Sequence, residues 1–264
     1  MDVAGYNLSP IWDGIISIYA EFAEICERFE MRYYASSGTV LGAIRHGGFI
    51  PWDDDFDVCM PRPDYERFLQ VAKNELPSWL KVVSYRNCRQ YYNMFPKIVI
   101  ADRARVDAIC AASRLPAPEG IFIDIFPIDG YPSSRVGRYF RLGYVSLFKA
   151  LLNKSRCNLF NRLTELFASF VHYDTSCRVT DWAGWRKREL RFIRKRDESW
   201  MSPADFGKGI DVTFMGGSVR VPTNYVKYLE WWYGDWRQLP PEENRHPDHT
   251  TKFQQKRIWR LGPA

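Results

Sequence analysis

"SSGTVLGAIRHGGFIPWDDDFDVCM", residues 36–60, places Asp53, Asp54, Asp55 and Asp57 directly after a glycine-rich run and ahead of a short apolar stretch. Neighbouring like charges repel, and burying them unpaired costs several kcal/mol each, so either a solvated loop or a bound cation must relieve the cost. Upstream, residues 32–36 have strand character, Gly38 marks a turn, and residues 39–45 read as a short helix stopped by Gly47 and Gly48. A strand, a glycine turn and a helix set a helix N-terminus where an anion can sit. The acidic stretch itself reads as a strand ending near Met60, and alternation would put Asp53, Asp55, Asp57 and Cys59 on one of its faces.

Working outward, Ser9 and Pro10 supply a cap and a first-turn proline for an amphipathic helix carrying Ile11, Ile15, Ile18, Phe22, Ile25 and Phe29. Asp64, after two prolines, reads as the cap of a second helix with Tyr65, Phe68, Leu69 and Ala72 on its apolar face. Strands are expected near residues 80–85 and 95–102. "GIFIDIFPIDGYP", residues 120–132, is apolar on both faces, the mark of a central strand, and the charge inside its apolar run is Asp124. Beyond Arg135 the pattern turns mainly helical; short turn-linked strands follow over residues 207–221, then a helix with Tyr225, Tyr228, Leu229 and Trp232 ended by Gly234.

The 264 residues, 46% hydrophobic, are enough for a sizeable core. No run approaches the length of a membrane-spanning helix, and "MDVAGYNLSPIWDG" lacks the features of a secretory signal, so a soluble cytoplasmic chain is expected. The six cysteines are scattered without a CxxC pair, which argues for reduced thiols. The net charge of +6 is uneven. Residues 135–200 hold 15 Lys and Arg against 6 Asp and Glu, an excess of +9, leaving 22 against 25 elsewhere. The expectation is one α+β domain spanning residues 1–264, with a helical, basic insertion or subdomain at 135–200.

Two carboxylates two apart on a strand, joined by a third from a neighbouring strand, make an oxygen cage suited to Mg²⁺, with Mn²⁺ as a substitute. Asp55, Asp57 and Asp124 fit that set, and such a metal serves phosphoryl transfer. Gly38 and Thr39 would let backbone and hydroxyl approach a phosphate, or form a plain capped turn. Arg45 and His46 would hold a diphosphate or neutralise the aspartates. Lys97 and Arg62 are further phosphate contacts, or surface ion pairs.

"GTVLGAIRHGGFIPWDDDFDVCMPRPDYERF" resembles the signature of the LicD family, which includes the fukutin-related proteins; "GIFIDIFPIDGYP" resembles its second carboxylate strand, and "VPTNYVKYLEWWYGDW" with "PPEENRHPDH" its C-terminal portion. The resemblance covers residues 36–69, 120–130 and 221–249 and fades across the basic middle. It implies a nucleotidyltransferase-type mixed sheet flanked by helices. It further implies Mg²⁺-dependent transfer of a substituted phosphate, phosphocholine or a polyol phosphate, from a CDP-activated donor (CDP-choline or a CDP-polyol) to a cell-surface glycan such as lipopolysaccharide, teichoic acid or capsule. Asp55, Asp57 and Asp124 take the metal positions with Asp53 beside them, and Gly38, Thr39, Arg45 and His46 take the donor phosphate side.

Two other readings stand beside it. A nucleotidyltransferase would use the same carboxylates to attach the nucleotide to a small molecule. A basic nucleic-acid-binding module would use "WRKRELRFIRKRDESW", but would leave the three aspartates as an unexplained cost. Finally, "YFRLGYVSLFKALLNK" groups Phe140, Tyr144, Leu147, Phe148 and Leu151 with flanking cations. That suits either packing onto the catalytic domain or peripheral contact with the inner face of an anionic membrane, where a lipid-linked glycan acceptor would lie.

Overall fold

The computed structural model describes residues 2–3, 6–89, 91, 93–114, 120–155, 158–168, 170–176, 179–181 and 200–245. Most of "WRKRELRFIRKRDESW" and the end of "PPEENRHPDH" lie outside the described residues.

Strands β1 (Asp2–Val3) and β2 (Tyr6–Asn7) form a small hairpin before helix α1 (Ser9–Arg28). Strand β3 (Tyr34–Ala35), helix α2 (Ser37–His46), strand β4 (Asp57–Pro61) and helix α3 (Arg62–Glu75) follow. Then come β5 (Leu80–Val83), β6 (Lys97–Ile100), α4 (Arg103–Ser113) and β7 (Phe122–Gly130). The main sheet runs β3-β4-β7-β6-β5, and β8 (Val179–Asp181) continues the edge of β7 beyond β6. Among the described residues only β4 and β7 pair in parallel. The sheet is therefore mixed, and β7, buried along its whole length, is its central strand.

Helices α1, α3 and α4 take one face. Gly14 of α1 approaches Ile121 and Ile109, and Phe22 of α1 meets Phe68 of α3 edge-on at 5.0 Å. Ile98, Ile100, Ile123 and Ile125 supply the sheet side of this core. On the other face Val83, Val99 and Phe122 gather with Tyr85 and Tyr91 of the loop after β5. Helices α5 (Arg135–Ser155) and α6 (Leu159–Ala168) form a hairpin in the basic segment. A short helix α7 (Pro203–Phe206), the hairpin β9 (Ile210–Phe214) and β10 (Gly217–Val221), and helix α8 (Tyr225–Tyr233) complete the described chain before a turn of 3-10 helix at Glu242–Asn244.

Several boundaries differ from the sequence expectation. Strand β4 begins at Asp57, because Pro51 and Trp52 make a turn in which the Asp53 amide donates to the Ile50 carbonyl at 2.8 Å; Asp53, Asp54 and Asp55 sit in the loop that follows. Strand alternation therefore does not align Asp53 and Asp55 with Asp57. Asp64 does not cap α3, which starts two residues earlier; its carboxylate accepts from Arg32 at 2.6 Å instead. Ser9 is the first residue of α1, and its amide donates to Asn7. In α5, the apolar residues expected on one face divide: Tyr144 and Phe148 meet Phe167 of α6, whereas Phe140 and Leu147 point outward.

Candidate active site

The register of the sheet assembles the site. Asp57 of β4 lies beside Asp124 of β7, and Asp124 lies beside Lys97 of β6, so one row across three strands reads Asp, Asp, Lys. Cross-strand partners share a face, so all three side chains emerge together. Each is buried. Lys97 Nζ meets Asp124 Oδ1 at 2.7 Å and sits 3.3 Å from the centre of the Phe122 ring. One cation thus faces two buried carboxylates and the acidic loop.

The electrostatics follow from that imbalance. Burial pushes the Asp57 carboxyl well above its usual range, the charges of Asp55 and Asp124 push it further, and Lys97 and a hydrogen bond from Ser37 only partly offset them. Burial does the same to Asp53, reinforced by Asp55, with which it shares a hydrogen bond, and by Asp54 and Asp57. Among the described residues no three such ligands converge as a preformed metal cluster. The donor set is nevertheless oxygen-only and overcharged, which is the chemistry that a hard divalent cation relieves.

The expected glycine turn is the scaffold beneath these carboxylates. Thr39 is spent inside it: its hydroxyl accepts the Asp57 amide at 2.8 Å and so ties α2 to the start of β4. A Cβ at Gly38 would lie 2.8 Å from Asp53 Oδ2, so a larger residue there would push that carboxylate aside. Asp53 therefore stands at the N-terminal end of α2, where helix polarity favours negative charge. Trp12 of α1 holds the same loop by donating from Nε1 to the Asp53 carbonyl at 2.9 Å.

A cavity of about 520 Å³ opens beside Asp53 and Gly38. Its walls include Arg45, Trp52, Tyr233, Asp235 and Trp236. Arg45 donates to the carbonyls of Trp236 and Gln238 at 3.1 and 3.3 Å, holding that wall in place. Burial and the adjacent Arg45 charge push the His46 pKa down, and its Nε2 accepts from Arg45 Nε at 3.0 Å. His46 thus positions Arg45.

Arg62 is not brought to this group. It stands at the far end of β4, gripping Asp129 through two hydrogen bonds of 2.7 Å. Sequence reasoning also passed over Trp12, Tyr228 and the wall at residues 233–240. Tyr228 of α8 receives the Ser37 amide on its hydroxyl at 3.0 Å and bonds Ser36 Oγ at 2.9 Å, holding Ser37 at a φ of 47°.

Comparison with known proteins places the chain in a family. The family described as LicD/FKTN/FKRP, nucleotidyltransferase domain, matches residues 30–135, which contain the whole Asp57–Asp124–Lys97 row. The lipopolysaccharide cholinephosphotransferase LicD of Haemophilus influenzae is 31% identical over 89% of this chain and 92% of its own length. The chain belongs to the LicD family. Shorter matches link the chain to two uncharacterized proteins, one of Rickettsia typhi (40% identical over 24% of this chain and 19% of its own) and one of Rickettsia prowazekii (30% over 44% and 45%). The LicD match extends through the basic middle and beyond residue 135, where the sequence resemblance had faded.

Proposed function

We propose that this LicD-family member is a phosphotransferase that moves phosphocholine from CDP-choline to a hydroxyl of a cell-surface glycan, with a polyol phosphate from a CDP-polyol as the competing donor group. The observation that carries the reading is the buried row Asp57–Asp124–Lys97, set under an acidic loop and beside a cavity with aromatic and basic walls. The homologous Haemophilus protein is named a cholinephosphotransferase acting on lipopolysaccharide, which favours choline and a lipopolysaccharide-type acceptor.

Asp55, Asp57 and Asp124 would hold Mg²⁺, or Mn²⁺, which when bound neutralises phosphate charge and acidifies a bound hydroxyl. Lys97, fixed against Asp124, supplies the protein's own positive charge to the phosphate as the bond to the nucleotide breaks. Arg45 stands on the cavity wall for the remaining phosphate, and Trp52, Tyr233 and Trp236 with Asp235 suit a quaternary ammonium through ring faces and a carboxylate. Asp53 is the base: a carboxyl held above its usual range by burial and by the charges of its neighbours is better matched to taking a hydroxyl proton. The acceptor oxygen forms the new P–O bond, CMP leaves with the old one, and the proton passes to Asp53.

The test is release of CMP from CDP-choline, CDP-ribitol and CDP-glycerol, each with Mg²⁺ and with chelator, in the presence of candidate glycans. The expected result is metal-dependent CMP release with CDP-choline preferred and phosphocholine found on the glycan. Nucleotide attached to a product, with no free CMP, would overturn the reading in favour of nucleotidyl transfer.

A further inference from the structure

Helix α5 presents the wrong surface for a water-exposed helix. Val136, Phe140 and Leu147 are 80%, 67% and 56% exposed, and Gly143 and Ala150 are exposed with them. Their spacing of four, three, four and three residues is one stripe along the helix, about 16 Å from Val136 to Leu147. Tyr139 stands exposed at its margin. The opposite side of α5 is the packed one: Val145 is buried, and Arg141 is buried against the Tyr131 ring at 4.9 Å.

The apolar surface continues onto the rest of the hairpin. Phe140, Tyr144, Phe167 and Phe170 form a chain of ring contacts at 5.7, 5.2 and 5.6 Å, running from exposed Phe140 across the seam with α6 to Phe170, which is 66% exposed. Leu159 of α6 adds a further exposed side chain. Contiguous apolar surface of this kind marks an interaction site.

Charge selects the occupant. Helix α5 holds five Arg and Lys and no acidic residue. Arg135 is exposed at the start of the stripe, whereas Glu165, the acid of α6, turns inward to Arg86 at 2.7 Å, and Arg162 lines the cavity on that inner side with Glu66 and Glu165. A second copy of the chain laid on this face would set cation against cation. An apolar stripe on a helix that bears cations and no acid is complementary to a bilayer bearing anionic headgroups. We propose that the outer face of α5, continued by the exposed rings of the hairpin, docks the protein peripherally on an anionic lipid surface, with Val136, Phe140 and Leu147 entering the headgroup boundary and Arg135 meeting the headgroups. The docking goes beyond the transfer reaction and is read without donor or acceptor.

The test is co-sedimentation with vesicles of phosphatidylcholine alone and of phosphatidylcholine with an equal part of phosphatidylglycerol, at about 50 and about 500 mM salt. The expected result is binding to the anionic vesicles at low salt, weakened at high salt. Two variants divide the contributions, both at exposed positions where the fold is not at stake: Phe140→Ser with Leu147→Ser removes the stripe, and Arg135→Glu reverses the charge beside it. Each variant should keep the wild-type melting temperature and lose vesicle affinity about tenfold or more. Failure to bind anionic vesicles at low salt overturns the proposal, as does undiminished binding by either variant. Self-association in sedimentation velocity that the serine pair abolishes, without vesicle binding, overturns it in favour of a second copy.

Discussion

Strands β4 and β7 carry charge at both ends, and the two ends treat it in opposite ways. At the start of β4, Asp57 and Asp124 stand side by side with Asp53, Asp54 and Asp55 close in the chain, and Lys97 is the cation in their row. At the other end, Arg62 grips buried Asp129, and Glu66, Arg86 and Glu165 extend the pair into an alternating network. Asp124 and Asp129 are five residues apart on one strand, so they leave opposite faces of the sheet. The paired end is built for stability, since each charge meets its opposite. The crowded end costs stability, and the proposed transfer reaction would give that cost a use.

The largest effect that would break this comparison is on turnover. Asp57→Ala should lower CMP release roughly a thousandfold, the equivalent of the several kcal/mol a bound metal contributes, while metal-free stability stays level or rises because repulsion is relieved. Near wild-type turnover with reduced stability would make the crowded end a structural one after all. At the paired end the effects reverse. Asp129→Ala removes the two-bonded partner of buried Arg62 and leaves it only the longer pairs with Glu66 and Glu165, so it should cost roughly 3 kcal/mol in denaturant unfolding, with kcat of the folded fraction little changed.

Thr39→Val sharpens the comparison at the joint between scaffold and site. It strips the Asp57 amide of its buried acceptor and should cost about 1–3 kcal/mol of stability, with a turnover loss well short of that in Asp57→Ala. The smallest effect lies in acid titration of the paired end. Burial opposes the charge on Glu66, but hydrogen bonds and charge from Arg86, and the charge of Arg62, more than offset it and hold the carboxyl below its ordinary 4.5. Its contribution is therefore complete above that value and disappears as pH falls through the lowered one. Glu66 is partly exposed, so solvent screening limits the loss to a few tenths of a kcal/mol, read as the difference between wild type and Glu66→Gln across that window.

The order of elements was legible wherever local chemistry decided it. Gly47 and Gly234 end helices as expected, and the apolar run around Asp124 is the central strand. The placement of Asp57 and Asp124 on neighbouring strands was legible too, because both carry charge into segments apolar enough to be strands. What was not legible depends on distant partners. Strand character was extended back through Asp53 because alternation carries no information about the turn that Ile50 closes on it. Arg62 reads like any cation near an acidic strand until β7 delivers Asp129 to it. The cavity wall at residues 233–240 and the Trp12 bond to the acidic loop arise only when the two ends of the chain meet.

That meeting has a consequence in time. The backbone turn under the carboxylates is held by the hydroxyl of Tyr228, 191 residues downstream of Ser37. During synthesis the strands, the acidic loop and most of the core emerge while that hydroxyl does not yet exist, so the left-handed Ser37 has no clamp. The turn beneath the aspartates therefore gains its clamp only when nearly the whole described chain has been made, once α8 has arrived.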